Sequence, residues 1–142
     1  MSKREPALYL LDVLIAYEKI LRYTENFEDG DAFLHSELEW DATIRELEII
    51  GEATKNLIQE NIIDNTNRRI VNFRNQIAHG YFGIDADIVL DVIRDNLKQF
   101  TQILQNLEIN LDDAIELAKK EHAYNKNTLK LLELLKEKSN AR

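Results

Sequence analysis

Between residues 8 and 23 nearly every position is apolar: Leu8, Leu10, Leu11, Val13, Leu14, Ile15, Tyr17, Ile20, Leu21 and Tyr23. The polar exceptions, Asp12, Glu18, Lys19, Arg22, Glu25 and Asn26, recur every three to four residues over most of this length and form one narrow stripe. That period predicts a helix from Pro6, a residue tolerated in a first helical turn, to about Asn26. A helix apolar around almost its whole circumference is buried on more than one side. The pattern leaves two coverings open for its far flank: other helices of the same chain, or a second protomer.

The polar run 26–31 (NFEDGD) reads as a loop and 32–37 as a short helix. Ile44, Leu47, Ile50, Leu57 and Ile58 stand at helical spacing and predict a long helix over about 40–60. Gly51 in its middle costs about 1 kcal/mol relative to Ala, so its presence calls for the close approach of another backbone or side chain. The stretch 64–67 (DNTN) is a polar break with good N-cap residues. The next helix runs to about His79, with Ile70, Val71, Phe73, Ile77 and Ala78 inward, and Gly80 ends it. A further helix spans about 85–107, with an expected inner face of Ile88, Val92, Leu97, Phe100, Ile103, Leu104 and Leu107, interrupted by Asp95. Its first residues, Asp85 and Asp87, suit the helix dipole. Residues 111–142 read as one or two amphipathic helices broken around 125–127, with Leu129, Leu132 and Leu135 on one side. No Pro/Gly/Ser linker precedes them. Residues 1–107 are therefore expected to form a helical-bundle domain, and 108–142 a C-terminal helical extension packed on it.

Composition narrows the class. Four Gly and one Pro in 142 residues are too few turn formers for a β-sandwich or an α/β fold, which leaves an all-α fold. The absence of Cys excludes a disulfide scaffold, a cysteine nucleophile and a thiolate metal site. No window approaches 18 uncharged apolar residues, so no membrane span is expected. The start, with Asp12 in its apolar run and Glu18 and Lys19 behind it, does not read as a signal peptide, and a cytoplasmic location is expected. The formal net charge is −8 but unevenly spread. Residues 1–60 carry −8, 61–81 carry +2, 82–116 carry −6 and 117–142 carry +4. A nucleic-acid binder working by bulk electrostatics is usually basic. This distribution permits instead a small basic site within an acidic body, or an acidic face for a basic partner. The acidic majority also reads as ordinary solvated surface.

The segment 73–85 (FRNQIAHGYFGID) gathers Arg74, Asn75, His79 and Tyr81 at a helix end. Asn75 and His79 are four apart and share a helix face. Arg74 is about 140° around the axis from His79, at 3.6 residues per turn, and long enough to swing toward it. The helix C-terminus favours a protonated imidazole by about 0.3–1 kcal/mol. Such a set suits phosphoryl transfer. A guanidinium presents a planar fork to phosphate oxygens, and a histidine near neutrality exchanges protons with a hydroxyl or a leaving oxygen. RNA carries its own nucleophile in the 2′-hydroxyl, so this chemistry calls for no metal and no cofactor. Asn75 would orient the histidine or the phosphate. The same residues also admit a structural role, because an Arg near a helix end makes salt bridges and a His before Gly caps a C-terminus. His35, in an acidic stretch, and His122, among lysines, are poorer candidates. Asp85/Asp87 and Asp112/Asp113 read as helix N-terminal charges.

The run Arg74 to Tyr81 resembles the R-x4-H-x-Y signature of HepT-like proteins of the HEPN superfamily. The pattern RxPxLYLxDxLxAxEKIxxYT at Arg4–Thr24, IRxLEIIGEAxKxL at Ile44–Leu57 and GYFGID at Gly80–Asp85 extend the likeness to about 100 residues, ending near Leu107. The stretch 67–70 lacks the Trp that such proteins often carry before the motif arginine, and the extension lies outside the likeness. The resemblance implies an antiparallel four- or five-helix HEPN bundle that forms a homodimer or higher assembly, which would also account for the all-round apolar first helix. It implies an RNA substrate, with the Arg74/His79 pairs of two protomers meeting at one cleft and cutting without a metal to leave a 2′,3′-cyclic phosphate. It further implies the toxin role in a toxin–antitoxin pair. The antitoxin would be a minimal nucleotidyltransferase (MNT) that transfers AMP from ATP to Tyr81 (AMPylation). Two other readings stand beside it: a non-catalytic module that serves the nucleotidyltransferase as a substrate-holding partner, and a structural oligomerisation domain. Glu52 lies in the matching segment, and its direction is not legible from the pattern.

Overall fold

The computed structural model describes residues 4–78 and 85–140. Their regular elements are all helical, with no strand among them: α1 (Pro6–Thr24), α2 (Gly30–His35), α3 (Glu37–Gln59), a 3-10 turn at Asn65–Asn67, α4 (Arg68–Ala78), α5 (Ala86–Asp91), a π-turn at Val92–Asn96, α6 (Leu97–Gln105), α7 (Asp112–Glu121) and α8 (Lys126–Asn140). No helix among them is long and apolar enough to cross a membrane. The all-α bundle expected from the apolar period is the fold of this chain.

α1 is its hub. Leu10, Leu11, Val13, Leu14, Ile15, Ala16, Tyr17 and Ile20 are all buried, and they point around the whole helix. The cover comes from the same chain: α3 packs along α1, and α6, α7 and α8 close the remaining sides. Leu21 is the exception, at 41% exposed. Of the two coverings the sequence leaves open, intrachain helices account for the apolar circumference of α1. Lys19 reaches the buried Glu46 of α3 at 3.6 Å, and Phe33, fully buried, packs edge-on against Trp40 and at a tilt against Phe27 to close the turn from α1 to α3. Ala114, Ile115, Ala118, Leu132 and Leu135 of the two C-terminal helices join the main apolar core.

The helix expected over 85–107 forms, but its inner face differs from the expected one. Val89, Leu90, Ile93, Leu97, Phe100 and Leu104 are buried, whereas Ile88 and Ile103 are 55% and 52% exposed. The apolar residues fit two phases a helical turn cannot bury together, and the phase through 89, 93 and 97 is the one turned into the core, with α5 against α2 and α6 against α1. Within it the backbone opens into the π-turn, where Leu97 N–H bonds to Val92 O. α1 anchors that turn twice. The buried Tyr17 hydroxyl donates to Ile93 O at 3.1 Å, and Arg94 Nη2 donates to Thr24 O at 3.2 Å. Burial, with Asp95 nearby, raises the Tyr17 pKa and keeps the phenol neutral.

The α3–α4 seam carries the feature that matters most for the site. A Cβ on Gly51 would stand 2.2 Å from Arg74 Cβ and 2.4 Å from Arg74 Cγ. The aliphatic stem of Arg74 therefore crosses α3 in the space a side chain would fill. This is the close approach that a mid-helix glycine calls for.

Two stability outcomes follow from this packing. Helix propensity alone says Gly51→Ala gains about 1 kcal/mol. The clash is with a Cβ, which only backbone movement relieves, and overpacking of that kind costs about 1–3 kcal/mol. Gly51→Ala should therefore lower the melting temperature by a few degrees, and a rise would contradict the seam. Tyr17→Phe leaves Ile93 O without its side-chain donor and should lose about 0.5–1.5 kcal/mol in urea unfolding.

Candidate functional site

α4 positions the motif by simple periodicity. Val71 and Ile77 are buried against the bundle, and Ile70 and Phe73 pack at the edge of the core. Arg74, between them, is drawn onto α3 rather than out to solvent, because Gly51 leaves it room. Its side chain is 33% exposed, so the stem is covered and the head reaches the surface.

The guanidinium is held from two sides. Nη1 donates to Asn75 Oδ1 at 2.9 Å, and Nη2 lies 3.6 Å from Glu52 Oε2. Nε is buried and has no hydrogen-bond partner among the described residues. Glu52, whose direction the sequence leaves unread, thus faces the motif arginine. The available signal was its place next to Gly51: where α3 is bare enough to admit Arg74, the following residue flanks its head. Glu52 is 56% exposed, and an ion pair this open is worth about 0–1 kcal/mol. A hydrogen bond from a guanidinium to an anion contributes more, about 1.5–3 kcal/mol. The carboxylate can orient the fork without outcompeting a phosphate for it.

Asn75 contacts Arg74, so its carboxamide orients the guanidinium. His79 and Tyr81 lie outside the described residues. The other two histidines take minor places. His35 is exposed on α2, with Nδ1 2.8 Å from Asp31 O, and His122 follows the end of α7. Asp85 caps α5 by accepting from Asp87 N, and Asp87 accepts from Gly30 N, so this pair is occupied at helix starts. No group of three or more His, Asp or Glu side chains among the described residues stands close enough to hold a metal ion.

Comparison with known proteins agrees with the motif. The HepT-like ribonuclease profile matches residues 13–107, from within α1 to just past α6. A candidate RNase of Methanocaldococcus jannaschii is 30% identical over 115 residues, 76% of this chain and 94% of its own length. A second candidate RNase of that organism is 31% identical over 100 residues, 68% of this chain and 91% of its own. A candidate ribonuclease HepT of Thermococcus cleftensis is 33% identical over 100 residues, 67% of this chain and 88% of its own. No solved structure matches the chain. With the matched region spanning α1 to α6 and the motif arginine seated on α3, the chain belongs to the HepT-like ribonuclease family of the HEPN superfamily.

Proposed function

We propose that this protein is a metal-independent endoribonuclease in which Arg74 and His79 do the chemistry, and that it is the toxin of a toxin–antitoxin pair. The observation that carries the reading is the Arg74 head, held between Asn75 and Glu52 at the surface end of the Gly51 gap, five residues before His79. A fork already held in place binds a phosphate with little ordering cost.

In the proposed step the RNA 2′-oxygen attacks the adjacent phosphorus, and the bond from phosphorus to the 5′-oxygen breaks. One His79 takes the 2′-hydroxyl proton, and the His79 of a second protomer gives a proton to the leaving 5′-oxygen. The products are a 2′,3′-cyclic phosphate and a 5′-hydroxyl. Arg74 stabilises charge that builds on the non-bridging oxygens. The nucleophile is the substrate's own, so the residues need supply only a proton acceptor, a proton donor and a cation.

The silencing step belongs to the same proposal. The Tyr81 hydroxyl attacks the α-phosphorus of ATP, held by a cognate minimal nucleotidyltransferase, and pyrophosphate leaves. Each adenylate adds about one negative charge beside a site that works by anion affinity, and its bulk blocks RNA entry.

Arg74→Ala and His79→Ala should each lower cleavage of single-stranded RNA by at least about 10²-fold while the protein stays folded by circular dichroism, Arg74→Ala with a lowered melt because its stem no longer fills the gap at Gly51. Full activity in either variant rejects the assignment. Cleavage should persist in excess EDTA, and loss of activity there rejects the metal-free step. Light scattering that finds only monomer at micromolar concentration removes the two-histidine arrangement. In bacteria the wild type should arrest growth and His79→Ala should not; equal growth, with modification excluded, sinks the toxin role.

Tyr81→Phe should keep most ribonuclease activity and escape silencing by the nucleotidyltransferase and ATP. Mass spectrometry that places adenylate on another residue rejects this part. Adenylated Tyr81 in a protein that never cuts RNA selects the substrate-holding role instead.

A further inference from the structure

On the side of α4 that faces the π-turn lies a cleft of about 350 Å³. That is near the low end of small-ligand pockets, about 300–1,000 Å³, and suits a single planar group better than a peptide segment. Its apolar lining comes from Ile70 and Phe73 on α4, Val92 at the start of the π-turn and Leu97 at the start of α6. Its rim carries three carboxamides, Asn72, Gln76 and Asn96, and the guanidinium of Arg69. Asn72, Gln76 and Asn96 are exposed, and no hydrogen bond engages their side chains among the described residues. Arg69 likewise has no ion pair among them.

We infer that this cleft is a nucleobase subsite, which receives a base of the RNA next to the phosphate that Arg74 holds. The inference rests on the ribonuclease reading above. Four observations support it. First, an aromatic and aliphatic floor beneath unpaired amides matches a base, which has an apolar face and an edge of donors and acceptors. Single-stranded RNA is recognised by that combination, with carboxamides pairing bidentately to base edges. Second, the position is right. Phe73 and Arg74 are consecutive on α4, and Asn72 and Gln76 share a face four residues apart. One helix thus offers a phosphate ligand on one flank and a base platform on the next. Third, the far wall is rigid. The π-turn that presents Val92 and Asn96 is tied to α1 by the Tyr17 and Arg94 hydrogen bonds, so the amide of Asn96 stands on a fixed backbone. Such turns, which add a residue and re-aim side chains, often occur at functional sites. Fourth, the charge fits a single nucleotide. One free Arg69 on the rim matches one phosphodiester, whereas a triphosphate calls for several cations or a glycine-rich loop.

The test uses the full chain and four 2′-O-methyl dinucleotides that share a 3′ uridine and differ in the 5′ base. The methyl group blocks the nucleophile, so binding is read without cleavage. Side-chain amide signals of Asn72, Gln76 and Asn96 should shift on titration, with affinity that depends on the base. Asn96→Leu should weaken the preferred dinucleotide about fivefold or more and level the differences among the four. In cleavage of unmodified RNA it should flatten base preference without abolishing turnover. Base-independent binding that Asn96→Leu leaves unchanged overturns the subsite, as do shifts confined to Arg74 and Asn75. A change of Asn96→Leu from dimer to monomer in sedimentation also overturns it, because the cleft is then a seam between two copies. Base-selective binding in a protein that cuts no RNA upholds the subsite and rejects the ribonuclease reading, so the two fail separately.

Discussion

Arg74 lies across α3 because residue 51 has no side chain to stop it. A Cβ there would fall 2.2 Å from Arg74 Cβ, closer than packed atoms come. The glycine weakens α3 locally, and the α3–α4 seam offsets that cost by admitting a long side chain into the space. Everything the site offers follows from this contact. The stem is covered, so the guanidinium has few places to go. Glu52 and Asn75 meet it where it emerges. The packing joins a Gly-Glu in the middle of α3 to an Arg within α4.

The second constraint comes from α1. Because it is covered on nearly every side by its own chain, it can serve as a fixed reference for the parts around it. The π-turn depends on it most. A π-turn has poorer intrahelical bonding than an α-turn, and it survives where neighbours hold it. Two hydrogen bonds to α1 do so, one from the buried Tyr17 hydroxyl to Ile93 O and one from Arg94 to an end carbonyl of α1. The result is a helix from 86 to 105 that changes register partway and faces α4 with Val92 and Asn96.

The charge pattern fits this arrangement. The chain is acidic, but α4 and the residues before it carry three arginines. The basic stretch 117–142 is a separate case. Lys119 pairs with Glu133 and Glu116, and Lys136 with Glu116, so part of its positive charge is spent on holding α7 and α8 together.

Much of this was legible in the sequence. The apolar period placed the helices, scarce Gly and Pro excluded sheets, and the R-x4-H-x-Y run named the family, because each is a local or short-range signal. Gly51 announced a close contact, since an isolated helix gives no reason for it. What the period could not choose was phase. Two apolar stripes run along 85–107, and only the positions of α1 and α2 decide that Val89, Ile93 and Leu97 go inside while Ile88 and Ile103 stay out. Nor could it say what covers α1, because an apolar flank looks the same under a helix of its own chain or another's. The direction of Glu52, the partner of Asn75 and the cleft between α4 and the π-turn were likewise decided in three dimensions. Each joins residues far apart in the chain, or turns on where a neighbouring side chain lies, and the distance between two helices is not written in either one.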